Sequence, residues 1–333
     1  MTDEFDDDQV QAETPTFPDA LEALQTYDDA DNKSLMAIPY GLSDLSSEQI
    51  GELQPVWKQL HVDSRRKVMQ MLSDVAETDF VLDYGTMGFF GLDDEDPGVR
   101  EIAISILWID ESLKLMNRLI DMAANDEALV VRAAAAGALG RFILAGELEE
   151  LSPDMGVTAQ NAIIKIWEDD KEDISVRRRA LEAISNCGHK IVPRAISEAY
   201  ESGDQPMRVS AVFAMGCSYD NKRWSEIVLA EIDSDDAEIR YEAARSAGLL
   251  EIEAAIPKLG RMMIEEEREI VNVAVWSLGE IGGKEATRLL TLLSEKAEED
   301  EDDDLMELIE DAIGNASFAS DILDHIDDLD EYQ

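Results

Sequence analysis

The sequence predicts an all-α fold, an α-solenoid of about eight stacked helical hairpins, from three observations. Aromatic residues make up only 6% of the chain while Ala, Leu, Ile and Glu are abundant, a bias toward helices and away from sandwiches and barrels. One short pattern recurs along the chain: an acidic or polar turn, a branched apolar residue, Arg, and then Ala, Leu and Gly at fixed offsets. Within the Arg-bearing helix apolar residues fall at −1, +3, +4 and +7 from the Arg, as in Ile239, Ala243, Ala244 and Ala247 around Arg240, which is the stripe of a helix packed on one side.

In chain order, the first hairpin starts at the capping-box pattern Ser46-Ser47-Glu48-Gln49. The first copy of the pattern follows at Arg66 in VDSRRKVMQML. The next are PGVREIAISILW (Arg100), LVVRAAAAGALG (Arg132), ISVRRRALEAIS (Arg177), QPMRVSAVFAMG (Arg208) and AEIRYEAARSAG (Arg240). Two degenerate copies close the series, REIVNVAVWSLG with Val271 and DLMELIEDAIG with Met306 at the Arg position. The steps are 34, 32, 45, 31, 32, 31 and 35 residues. A period near 32 is too long for one helix and suits two helices joined by short turns, with the Arg-bearing helix second.

Asp126, Asp173 and Asp235 stand just ahead of their Arg helices, where an N-cap or first-turn acid belongs. Small residues at +7 and +8 allow neighbouring helices to approach closely. The 45-residue step leaves room for a loop at Glu147 to Val157. No single hairpin buries its own stripe, so the copies are expected to stack into one elongated superhelix. The domain reading is an acidic, largely disordered N-terminal extension over 1–40, the solenoid over 41–318, and an acidic tail over 319–333. Ala20 to Leu24 and Ile322 to Leu329 are able to form helical turns on docking.

The formal charge is −47, from 75 acids against 28 bases, and it is unevenly placed. Residues 1–32 hold 11 acids and no base, residues 297–333 hold 16 acids and no base, and the middle keeps 48 acids with all 28 bases. Such a field repels phosphate polyanions and anionic lipid, so neither nucleic acid nor membrane is expected as a partner. No basic, apolar leader opens the sequence, and no apolar run approaches the roughly 18 to 20 residues that span a bilayer. A cytoplasmic location is expected. Cys187 and Cys217 are too few for a disulfide framework and read as buried thiols.

The D-x-x-V-R-x-x-A-x-x-x-L-G segments, with Ala255-Ile256-Pro257-Lys258-Leu259, resemble the HEAT repeat. They are closest to the short HEAT-like variety named after phycobilisome lyase subunits. The resemblance covers roughly four fifths of the chain and speaks to fold more than to activity, since these repeats serve adaptors, lyases, hydroxylases and glycosylases alike. It implies that the Arg-bearing helices line a concave surface. It also implies that Arg100, Arg132, Arg177, Arg208 and Arg240 form a structural ladder tying repeats together through the turn Asp, interrupted at Val271 and Met306.

The enzymes built on such repeats make demands that this sequence can be tested against. A di-iron hydroxylase needs His-Glu pairs, but His61, His189 and His325 are followed by Val62, Lys190 and Ile326. A DNA glycosylase needs a basic groove, and only Arg177 to Arg179 are locally basic. A bilin lyase or lyase-like subunit acting on a chromophore-bearing protein remains open by resemblance. Gly279 to Glu285 lacks the first Gly and the Ser/Thr of a phosphate loop, and Asp93 to Gly98 lacks the ligands of a calcium loop; both read as turns, with Pro97 at a first helical position. No cofactor, metal or catalytic residue is expected.

If the Arg helices line the concave side, positions +1 and +5 point partly into it. They read Val209 and Phe213, Tyr241 and Arg245, Asn272 and Trp276, placing an aromatic in three successive repeats where a surface helix carries charge. Arg with aromatics is the composition of an interaction hot spot. A register shifted by one residue places the same aromatics in the core instead. The second candidate is Arg178 and Arg179, with Lys190 and Arg194 nearby, as a receptor for an acidic segment. Its alternative is a solvated face neutralised by Glu172, Asp173 and Glu182. The functional reading is therefore a non-catalytic scaffold or adaptor binding another protein or peptide on its concave face, with no oligomeric state indicated.

Overall fold

The computed structural model of the protein describes residues 14–27, 35–265 and 267–330. Every regular element among them is helical. The chain divides into two compact units, Met1–Ala138 and Leu139–Gln333, where the sequence suggests one continuous solenoid from 41 to 318.

The first unit contains α1 (Phe17–Gln25), α2 (Ala37–Gly41), α3 (Ser47–Trp57), α4 (Val62–Thr78), α5 (Gly85–Gly91), α6 (Pro97–Ile106), α7 (Leu113–Asn125) and the start of α8 (Leu129–Glu147). Helix α4 packs on α6, and α5 packs on both α3 and α6. Part of the stretch 1–40 is folded onto this stack. Helix α1 packs on α2 and α3 through Ala20, Ala23 and Leu24, all buried, and α2 packs on α4 with Ile38 buried. Residues 1–13 and 28–34 lie outside the described residues. The capping box at Ser46 is present: the Ser46 amide donates to Gln49 Oε1 (2.9 Å) and the Gln49 amide to Ser46 Oγ (3.3 Å).

The second unit continues with α9 (Pro153–Glu168), α10 (Ile174–Ile184), α11 (Val192–Tyr200), α12 (Gln205–Cys217), α13 (Asn221–Glu231), α14 (Ala237–Leu249), α15 (Ile256–Glu265), α16 (Arg268–Ile281), α17 (Gly283–Glu299) and α18 (Asp303–Asp330). Each of α10, α12, α14, α16 and α18 packs on the helix before it in sequence, and successive members of the row pack on one another. The result is a solenoid in which the pattern-bearing helices form a continuous layer. Their starts are set by aspartates: Asp173, Asp204 and Asp236 accept from Ser175 N (2.8 Å), Met207 N (2.8 Å) and Glu238 N (2.9 Å). The cap of α14 is thus Asp236 rather than Asp235, whose carbonyl instead receives Arg240. Helix α18 runs through to Asp330, past the expected tail boundary at 318, and 331–333 lie outside the described residues.

Close packing of this layer has a steric cause. The +8 glycine of one helix faces the +6 residue of the next: an added Cβ would lie 2.9 Å from Ser246 Cα at Gly216, and 2.9 Å from Ser277 Cα at Gly248. Ser246 and Ser277 then donate to the carbonyls of Val212 and Ala244, each at 2.8 Å, bonding one repeat to the previous one.

The 45-residue step is absorbed by long helices rather than by a long loop. Helix α8 has 19 residues and α9 has 16, so only Leu148 to Ser152 connect them, and Pro153 to Val157 open α9. The two helices cross where Gly146 and Gly156 meet. Contrary to expectation, α8 is long and apolar enough to cross a membrane (mean hydropathy 1.5). In this fold it is a packed helix, with Val131, Ala135, Leu139 and Phe142 fully buried.

Candidate functional site

In α12, α14 and α16 the stripe positions are buried: Ala211 and Val212, Ala243 and Ala244, Ala274 and Val275. Positions +1 and +5 turn away from that stripe. Val209, Phe213, Tyr241, Arg245, Asn272 and Trp276 are all half-buried, outside the core but not fully solvated. The arrangement forms two adjoining hollows between α14 and α16. One, of about 410 Å³, is lined by Tyr241, Arg245, Glu269, Asn272, Val273 and Trp276. The other, of about 330 Å³, is lined by Val209, Tyr241, Ile270 and the glutamates 238, 242, 267 and 269. Tyr241 and Glu269 belong to both. Phe213 lines neither hollow; it carries the Arg245 guanidinium 4.7 Å above its ring, a cation–π contact that fixes Arg245 over the groove.

The groove also contains a group that sequence reasoning missed. Glu242, at +2 in α14, is half-buried, and its Oε2 is buried without a hydrogen-bond partner. Burial pushes its carboxyl up to about 7; Arg245 opposes this and Glu182 adds to it. Asn272 Oδ1 is likewise buried and unpartnered. Both are acceptors on the groove wall. In sequence Glu242 looks like any helical glutamate; its burial appears only in the folded structure.

Arg178 and Arg179 are engaged within the chain. Arg178 Nε donates to Ser210 Oγ (3.0 Å), which donates to Glu182 Oε1 (2.6 Å), while Arg179 pairs with Glu182 Oε2 at 2.6 Å. Arg194 meets Glu168 (3.6 Å) and Glu198 (3.4 Å), and Lys190 is exposed. Cys187 and Cys217 are buried, and burial raises both thiols.

The ladder arginines bond to their own repeat and, at Arg100 and Arg208, to the next one. Arg100, Arg132 and Arg240 donate through Nη1 to the carbonyls six and five residues earlier, locking the turn before their own helix: Asp94 and Glu95, Asp126 and Glu127, Ser234 and Asp235. Arg177 bonds the Trp167 carbonyl (3.1 Å), and Arg208 holds Glu231 and the Tyr200 hydroxyl. Bonds from an Arg helix to the aspartate before the next one are made by Arg66 to Asp96 and by Arg100 to Asp126 (2.7 and 2.9 Å). Where Val271 breaks the ladder, Arg268 one turn earlier reaches Asp302 at the start of α18.

Among the described residues no cluster of His, Cys, Asp and Glu has the arrangement of a metal site. What the groove offers is aromatic surface, one fixed guanidinium and acceptors without donors.

A family model described as HEAT repeats matches residues 225–314. Solved structures similar to the chain include the YibA protein of E. coli (19% identity, covering 82% of this chain and 98% of that one, TM-score 0.42). Importin beta (13%, 90% and 46%, 0.43) and human deoxyhypusine hydroxylase (16%, 80% and 96%, 0.35) are others. No curated protein sequence matches the chain. The stretch 225–314 of this all-α solenoid, which matches the HEAT-repeat model, includes α14 and α16 of the groove.

Proposed function

We propose that the protein is a binding scaffold whose groove over α12, α14 and α16 takes a segment of a partner protein. The observation that carries this reading is the pair of half-buried rows. Phe213, Tyr241, Arg245 and Trp276 occupy positions where a solvated helix would carry flexible charged side chains; Tyr241, Arg245 and Trp276 line the adjoining hollows and Phe213 supports Arg245 from beneath. Aromatic and Arg side chains that are already partly ordered lose little further entropy on binding, which is why they dominate interface energetics.

Panning a display library of random 12-residue peptides against the protein tests the proposal. The Phe213→Ala/Trp276→Ala double variant, checked for helicity by circular dichroism, serves as the control. Peptides that bind the protein and lose at least about tenfold in affinity for the variant are expected, corresponding to about 1.4 kcal/mol. Recovery of no peptides sensitive to the double variant would overturn the reading.

A further inference from the structure

Four glutamates, at positions 238, 242, 267 and 269, surround the smaller hollow, and no Lys or Arg lines it. Helix starts account for some of this charge. Glu238 lies in the first turn of α14 and Glu269 in the first turn of α16, where a carboxylate complements the helix dipole. Glu242 lies a turn deeper, beyond the reach of that effect, and it is the desolvated one. A carboxylate oxygen buried without a donor costs stability. Asn272 Oδ1 repeats the same deficit in the adjoining hollow. With Glu242 ionised, both unpartnered atoms accept hydrogen bonds, so an occupant that satisfies them supplies donors, and the four surrounding glutamates favour donors that carry positive charge. Tyr241 forms a wall common to the two hollows, and Arg245 over Phe213 shows how this surface holds a guanidinium: ring below, carboxylates around.

We propose that the partner segment is basic, and that one of its arginine or lysine side chains enters the hollow beside Tyr241 with its cationic head on the Glu242 and Glu269 carboxylates. The proposal rests on the groove reading above and adds the chemistry of the occupant. The aromatic wall takes the aliphatic stem, and the carboxylates take the charge and the donors.

The same peptide panning supplies the test, now read by sequence and repeated on Glu242→Gln, a variant of nearly the same size that removes the charge and replaces one acceptor oxygen by an NH2 donor. Groove-dependent peptides are expected to carry Arg or Lys at one fixed position. Replacing that residue by Gln, or titrating the original peptide against Glu242→Gln, is expected to weaken binding about tenfold, with both effects shrinking as salt is raised. Groove-dependent peptides with no basic position would overturn this inference and leave the scaffold reading standing, as would acidic winners. The same holds for basic peptides that bind Glu242→Gln as tightly as the parent. Absence of any groove-dependent peptide would overturn both.

Discussion

Replacing Glu242 by Gln is expected to stabilise the protein, and to do so only above mildly acidic pH. Burial raises the folded-state carboxyl from an ordinary 4.5 to about 7, with Glu182 on α10 adding to the effect and Arg245 on α14 itself opposing it. Cys217 on α12, Glu238 and Tyr241 on α14, and Glu267 and Glu269 around α16 are other ionisable groups near this part of the groove. Glu242 therefore holds its proton more tightly folded than unfolded. Below about pH 4.5 both states are protonated and the group costs nothing; from there to about pH 7 unfolding releases a proton, so stability falls as pH rises. Above about pH 7 the full penalty applies, at most about 3 kcal/mol and less where solvent reaches the residue's edge. Urea unfolding of the parent and Glu242→Gln, followed by circular dichroism, should show little difference near about pH 4.5. It should show a gain approaching about 3 kcal/mol near about pH 8.5. An equal gain at both pH values, or no gain at the higher one, would refute the assignment of a desolvated, unpartnered carboxylate. A site that weakens the fold for the sake of a ligand commonly shows this signature.

Two further substitutions test the packing. Gly156→Ala places a Cβ 2.8 Å from the Gly146 Cα, where backbone has to move, and is expected to cost about 1–3 kcal/mol. Gly51→Ala on α3 meets nothing within 4 Å and should instead gain up to about 1 kcal/mol; thermal melts that rank the two in the opposite order would contradict the geometry. Arg100→Ala leaves Asp126 charged and about nine-tenths buried, and is expected to cost about 3–5 kcal/mol in chemical denaturation. A loss below about 1 kcal/mol would place the pair among ordinary surface ion pairs.

What could be read from the sequence follows from which constraints are local. The pattern-bearing helices were legible because their stripe, and in most copies an Asp cap and a +8 glycine, recur at fixed offsets, and each answers to the helix beside it. Partner helices such as α5 and α11 are short and carry no such repetition. Helix α1 was harder to see because its four buried side chains lie within a strongly acidic stretch. The 45-residue step suggested a loop because helix lengthening leaves no gap in the apolar pattern. At the groove, positions +1 and +5 pointed to Tyr241 and Trp276, since helical geometry alone aims them. Glu242 was not legible, because its burial arises from tertiary packing, which the helical pattern around it does not encode. The arginines were visible as a ladder, but whether each grips its own turn or the next repeat depends on side-chain reach.

The central claim, that the rows on α12, α14 and α16 are the binding surface, is tested most directly by the indole N–H resonances of the five tryptophans, Trp57, Trp108, Trp167, Trp224 and Trp276. Each is assigned by single Trp→Phe substitution and followed by NMR while a groove-selected peptide is added. The account predicts that Trp276 shifts in proportion to occupancy while the other four stay in place. A stationary Trp276, with Trp108 or another indole moving in its stead, would contradict it.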